Sequence, residues 1–181
     1  MKNPFAHKVL EFQVKKQDPE AFGQFYDLYV ARIYRFIFFK VNSESDAQDL
    51  TSDVFLKLWH YIKEGKEVKN LNALVYMIAR NAVIDFYRQK QRQHDKELPL
   101  DDTSATEPAH SPLTEHINRS LMENVQQGLY DLKDEYREVI VLHYLDQLSI
   151  SEIATILNKS KGSVRVVLHR ALNALKTTIH E

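Results

Sequence analysis

Near the C-terminus, Arg165, Val166, His169 and Arg170 fall on one face of a predicted helix, opposite Val164 and Leu168. This set has the chemistry of reading DNA in the major groove. A guanidinium can grip a guanine with two parallel hydrogen bonds, and an apolar side chain can touch a thymine methyl. Lys159, Lys161 and Lys176 surround the set, and no acid lies between residues 159 and 176. Ammonium groups there suit phosphates, which position a protein without specifying a sequence. A basic helix on the surface of a bundle would carry the same charges, because a run of charge is usually a solvated face.

Two other stretches have unusual charge. Glu44, Asp46, Asp49 and Asp53 stand in 41–56 without a single base. Asp46, Asp49 and Asp53 share one helix face, where like charges repel. A basic protein partner is one reason for such a stripe. Complementing a helix N-terminus is the other, and it covers Asp53 poorly. Further on, Arg80 to Arg92 mixes Arg and Lys with amides and aromatics. Bases and aromatics together suit nucleic acid, since aromatics stack bases and cations hold phosphates. Cations closing a helix C-terminus would look the same.

Catalytic chemistry finds little support. Cysteine is absent, which removes disulfides and thiol nucleophiles. The eight histidines are scattered, with no pair three or four apart, and there is no glycine-rich phosphate loop. No catalytic residue, metal site, cofactor or small-molecule substrate is expected.

These residues need helices to hold them. Asp18-Pro19-Glu20 starts one, with an N-cap, a proline at the first position and then an acid. Ser43 or Ser45 starts a second, which Gly65 ends, and a third is expected from about Asn70 to Arg92. A shorter helix, about residues 5–16, precedes them. In the second half, helices are expected over 117–129 and 134–145. Ser149 and Glu152 form a capping box for a short helix ending at Leu157. Asn158 suits a left-handed turn residue, and Ser160 can cap the last helix, to about Ile179. Residues 150–169 therefore have helix-turn-helix spacing. Three of the five prolines and a run of acids fall in 93–119, which reads as a flexible acidic linker. The fold class is all-α, as two small helical domains.

The net charge of −1 is a sum of unlike parts: +4 over 1–92, −4 over 93–119 and −1 over 120–181. A neutral total thus conceals basic surfaces. No apolar leader or spanning run is present, so a cytoplasmic protein without membrane insertion is expected.

Several stretches together resemble the bacterial sigma-70 family, in its small extracytoplasmic-function (ECF) type. They are AFGQFYDLYVARIYRFI, DAQDLTSDVFLKLWHYI and NLNALVYMIARNAVIDFYRQK for region two, and LKDEYREVIVLHYLDQLSISEIATIL with KGSVRVVLHRALNALK for region four. The resemblance implies a transcription initiation factor with three parts. Residues 1–92 would bind core RNA polymerase and the −10 element, 93–118 would be the linker, and 119–181 would bind the −35 element. It implies polymerase contacts at Asp49, Ser52, Asp53 and Leu56. The loop over 61–70 and the helix after it would open the −10 element and hold a flipped base, through Lys63, Lys66, Asn70, Arg80, Asn81 and Arg88. The −35 readers would be Lys161, Ser163, Arg165, Val166, His169 and Arg170. Core RNA polymerase, promoter DNA and an anti-sigma factor are the partners implied. Two departures stand out. Glutamines interrupt the Arg80–Arg92 run, and Val166 and Val167 replace the polar residues common in the recognition helix. A stand-alone helix-turn-helix regulator would explain the second half equally well, but not the acidic stripe or the Arg80–Arg92 surface.

Overall fold

The structure, a computed structural model, describes residues 4–41, 43–94 and 127–180. The chain forms two compact units, Met1–Leu100 and Asp101–Glu181. Every regular element among the described residues is helical.

The first unit contains α1 (Pro4–Lys15), α2 (Pro19–Val41), α3 (Glu44–Lys63) and α4 (Leu71–His94). Their starts follow local side-chain chemistry. The Asp18 carboxylate accepts the Glu20 and Ala21 N–H groups at 2.9 and 3.3 Å, capping α2. Ser43 caps α3 by accepting the Asp46 N–H. Asn70 caps α4, its Oδ1 accepting the Ala73 N–H at 2.9 Å. Gly65 ends α3 at φ 69°, a conformation that L side chains rarely adopt.

The four helices bury one continuous core. Phe25, Ile33, Phe36 and Ile37 of α2, Val54 and Leu58 of α3, and Leu71, Val75 and Tyr76 of α4 are all buried where these helices pack together. Phe36 and Tyr76 meet edge to face at 5.6 Å, and Phe22 packs on Trp59 at 4.7 Å. Each such side chain contributes about 1.5–3 kcal/mol by leaving water. That burial fixes which faces of α3 and α4 remain for partners.

The second unit begins, among described residues, with a helical turn over 127–131. Then come α5 (Asp134–Ile140), a π-helical turn (Val141–Leu145), α6 (Ile150–Leu157) and α7 (Lys161–His180). The capping box is present: Ser149 Oγ accepts the Glu152 N–H, and the Glu152 carboxylate accepts the Ser149 N–H at 2.9 Å. Asn158 takes the left-handed conformation at φ 52°, letting the chain leave α6. Ser160 caps α7 through the Ser163 N–H at 3.1 Å. Ile153, Ala154 and Leu157 then pack with Val164, Leu168 and Ala171.

Two expectations differ in detail, and a third falls on residues that the structure does not describe. The helix over 134–145 changes from α to π after Ile140, because its end is held by longer-range bonds: Asp146 N–H to the Val141 carbonyl at 3.0 Å, and Leu148 N–H to the Leu142 carbonyl at 2.9 Å. Helix α4 continues through Gln93 and His94, past its expected end. The linker from residue 95, and 117–126 of the helix expected there, lie outside the described residues.

Candidate protein and nucleic-acid interfaces

On α3, Asp49, Ser52, Asp53 and Leu56 are all exposed, while Ala47, Thr51, Val54, Phe55 and Leu58 are buried. The four occupy positions i, i+3, i+4 and i+7, so they form one stripe. Leu56 is 59% exposed, a large apolar side chain in an acidic surrounding. Ser52 donates its hydroxyl to the Gln48 carbonyl at 3.1 Å, leaving its oxygen lone pairs as acceptors. Asp46 is half-buried at the capped start of the helix, where the macrodipole favours it. Asp49 and Asp53 lie beyond that first turn, where the macrodipole no longer accounts for them.

At the end of α3 and in the exposed loop past it, two lysines have aromatic backing. The Lys63 ammonium lies 4.9 Å from the Trp59 ring centre, and that of Lys66 lies 5.2 Å from Tyr61. Lys66 also pairs with Glu64. The hydrogen bond and charge of Lys66 hold the Glu64 carboxyl below the usual carboxylate range, and Glu64 likewise raises Lys66. Asn70 is exposed but commits its Oδ1 to capping α4. On α4, Asn81 and Arg88 are exposed and seven positions apart, so they share a face. Arg80 is half-buried and sits about 80–100° around the helix from them, at about 100° per residue. Arg88 carries an exposed pairing with Asp85 at 3.5 Å.

On α7, the buried line is Val164, Leu168 and Ala171, and Lys161, Ser163, Arg165, Val166, His169 and Arg170 are exposed. Val166 lies near the centre of the exposed face, 50% exposed, with His169 and Arg170 beside it and Arg165 at the edge. Val167 is half-buried and turns toward the packed side. An apolar centre with cations around it suits a groove floor carrying thymine methyls between two rows of phosphates. Lys159, in the turn, pairs with Glu135 of α5.

Sequence reasoning missed some positioning residues. Tyr87 donates its hydroxyl to the Lys40 carbonyl at 2.6 Å, fastening α4 to the end of α2. Arg137 donates to the Leu129, Tyr130 and Leu132 carbonyls at 2.7, 2.6 and 3.0 Å, closing the turn before α5. Tyr144 and Leu145 are exposed on the π turn. Among the described residues, no helix is long and apolar enough to cross a membrane.

Known proteins are similar to this chain in sequence and in fold. Residues 25–93 match the model of Sigma-70 region 2, and residues 123–175 that of Sigma-70, region 4. The chain is 30% identical to the ECF RNA polymerase sigma factor SigW of Bacillus subtilis, over 93% of this chain and 94% of that one. It is 28% identical to SigM of the same organism, an ECF RNA polymerase sigma factor, over 84% and 91%. Its fold resembles CnrH in a complex with the cytosolic domain of CnrY, with TM-score 0.69, 22% identity, and 95% and 96% of the chains covered. It also resembles the sigma factor RpoE bound to the anti-sigma factor NepR from Bartonella quintana, with TM-score 0.68, 22% identity, and 88% and 96% covered.

Proposed function

The chain belongs to the sigma-70 family, in its ECF group, and from that premise we propose how its exposed residues share the work. It is an alternative sigma factor that binds core RNA polymerase, recognises −10 and −35 promoter elements and directs transcription initiation. The α3 stripe of Asp49, Ser52, Asp53 and Leu56 docks on the polymerase. The loop after α3, with Lys63, Lys66 and Asn70, and the α4 face of Asn81 and Arg88 take the −10 element, with Arg80 supporting that surface from its flank. Val166 sits on base edges of the −35 element. Arg165, His169 and Arg170 read beside it, and Lys161 and Ser163 hold phosphate at the start of α7.

The factor performs no bond chemistry of its own. Opening the duplex requires only that the protein bind the open form better than the closed one, with a flipped base held outside the stack. Its place of work is that of the polymerase and the chromosome, the cytoplasm. An anti-sigma factor that covers both units would silence it, and the acidic, apolar α3 stripe asks of that partner a basic surface with an apolar socket.

The observation that carries the docking assignment is Leu56, left exposed in line with two acids that its own helix does not explain. Replacing Asp49 and Asp53 by Asn and Leu56 by Ala in one chain tests it. Capture of core polymerase should weaken at least about tenfold, since each charge pair and apolar contact in an interface is worth on the order of 1 kcal/mol or more. Full capture by a folded triple variant would contradict the assignment.

A further inference from the structure

Two side chains at the α1–α2 corner reach the end of α3 and the segment that joins it to α4. Lys15, the last residue of α1, donates its ammonium to the Lys69 carbonyl at 3.2 Å. Gln17 donates its side-chain amide to the Ile62 carbonyl at 3.3 Å. One bond holds the last turn of α3, just before the segment begins. The other grips it at its finish, one residue before the Asn70 cap.

The corner that supplies these donors is itself held firmly. Gln17 stands at φ 67°, a left-handed conformation that non-glycine residues rarely adopt. Such a position persists only where its surroundings over-determine it. Here the Gln17 N–H donates to the Val14 carbonyl at 2.9 Å, Lys16 N–H to the Gln13 carbonyl at 2.9 Å, and Asp18 caps α2. Val14 is fully buried. The segment it reaches is exposed over 63–67 and turns at positive φ at Gly65, and its other ties are local: the Gly65 N–H to the Ile62 carbonyl at 3.1 Å, the Glu64–Lys66 pair and the Asn70 cap. The bonds from Lys15 and Gln17 are the ties that join it and the end of α3 to the distant α1–α2 corner.

We propose that Lys15 and Gln17 are positioning residues, a brace that sets the 64–70 loop in the shape that reads the −10 element. Neither touches DNA. This rests on the reading of that loop as the −10 site. The brace works by geometry: a base held in a pocket is discriminated by hydrogen bonds whose donors and acceptors must already be in place. A loop free to wander still attracts phosphate through Lys63 and Lys66, but loses its choice of base.

The test uses the full chain with core polymerase and two substitutions, Lys15→Met and Gln17→Gly. Glycine adopts φ 67° without strain, so the corner keeps its backbone while losing the amide. The first readout is hydrogen exchange of the free protein. Amides of 64–70 should exchange faster in the double variant, while those of the α2 and α3 core stay protected, which certifies the fold. The second is selection of forked DNA randomised over six unpaired positions of the non-template strand. Wild type should prefer one base at one position by at least about tenfold, and the double variant by less than about threefold, on the scale of one lost base contact. Lys15→Arg, which keeps a donor, should retain the preference. Unchanged exchange in 64–70 would overturn the brace. Faster exchange with the base preference intact would overturn its role in reading. If wild type shows no preference at any unpaired position, the −10 reading of the loop fails and the positioning role falls with it, whatever the exchange shows.

Discussion

Lys66 enters the free protein already paired with Glu64. In the proposed −10 role of Lys66, DNA must displace that carboxylate before it takes the ammonium, so Glu64→Gln should raise affinity for forked −10 DNA, by less than about threefold since both groups are exposed. Glu64 is held below its usual value, so the pairing is complete above the unfolded carboxylate pKa of about 4.3 and is lost as pH falls through the lower folded value. Lys66 is raised, so its share is lost only as pH rises beyond the ammonium range. Between those limits the advantage of the Gln variant should not vary with pH, and titrating the affinity of both proteins from pH 5 to about 8 checks it. Arg165 makes a different prediction. Arg165→Ala should relax the −35 preference at one position by about 1–3 kcal/mol and leave polymerase capture unchanged. A uniform loss across sequences would make Arg165 a phosphate contact instead.

Helix ends were legible where their chemistry is local. Asp18, Ser149 with Glu152, Asn158 and Ser160 each act within a few residues of themselves, so residue type and spacing sufficed. Arg137 was not legible, because its carbonyl acceptors belong to a chain turn five to eight residues upstream that no spacing rule links to it. Nor was the π turn, since one turn of apolar residues fits α and π geometry alike. The faces were mostly legible: α3 and α7 present the expected stripes, whereas Arg80 and Asn70 drew other duties from packing and capping. The same local logic gives sharp stabilities for these elements. Ser149→Ala should cost the second unit about 1 kcal/mol. Asn158→Gly should be nearly neutral, but Asn158→Val should cost about 1–2 kcal/mol, because a β-branched residue resists φ 52°. Chemical denaturation followed by a probe confined to the second unit measures all three.

At the scale of the whole chain, near-neutral charge gave no hint of DNA, yet it hides a net +4 in 1–92 and a last helix whose charged side chains, up to Lys176, are all basic. Contacts such as those of Lys15 and Gln17, 54 and 45 residues from their partners, emerge only once the first unit has folded. On the proposed assignment the acidic stripe serves one partner and the basic faces another, so neither unit's binding should suffice alone. The full chain should hold promoter DNA weakly, with steep salt dependence, until polymerase is added. Specific binding at full strength without polymerase would instead favour a stand-alone regulator. The most direct measurement is transcription in vitro from fragments of the native genome, with purified core polymerase and with or without this protein. Initiation at a defined set of sites sharing −10 and −35 sequences, dependent on the protein and lost in the Asp49, Asp53 and Leu56 variant, is the predicted result. No protein-dependent start site, from a folded chain that also fails to capture core polymerase, would contradict it.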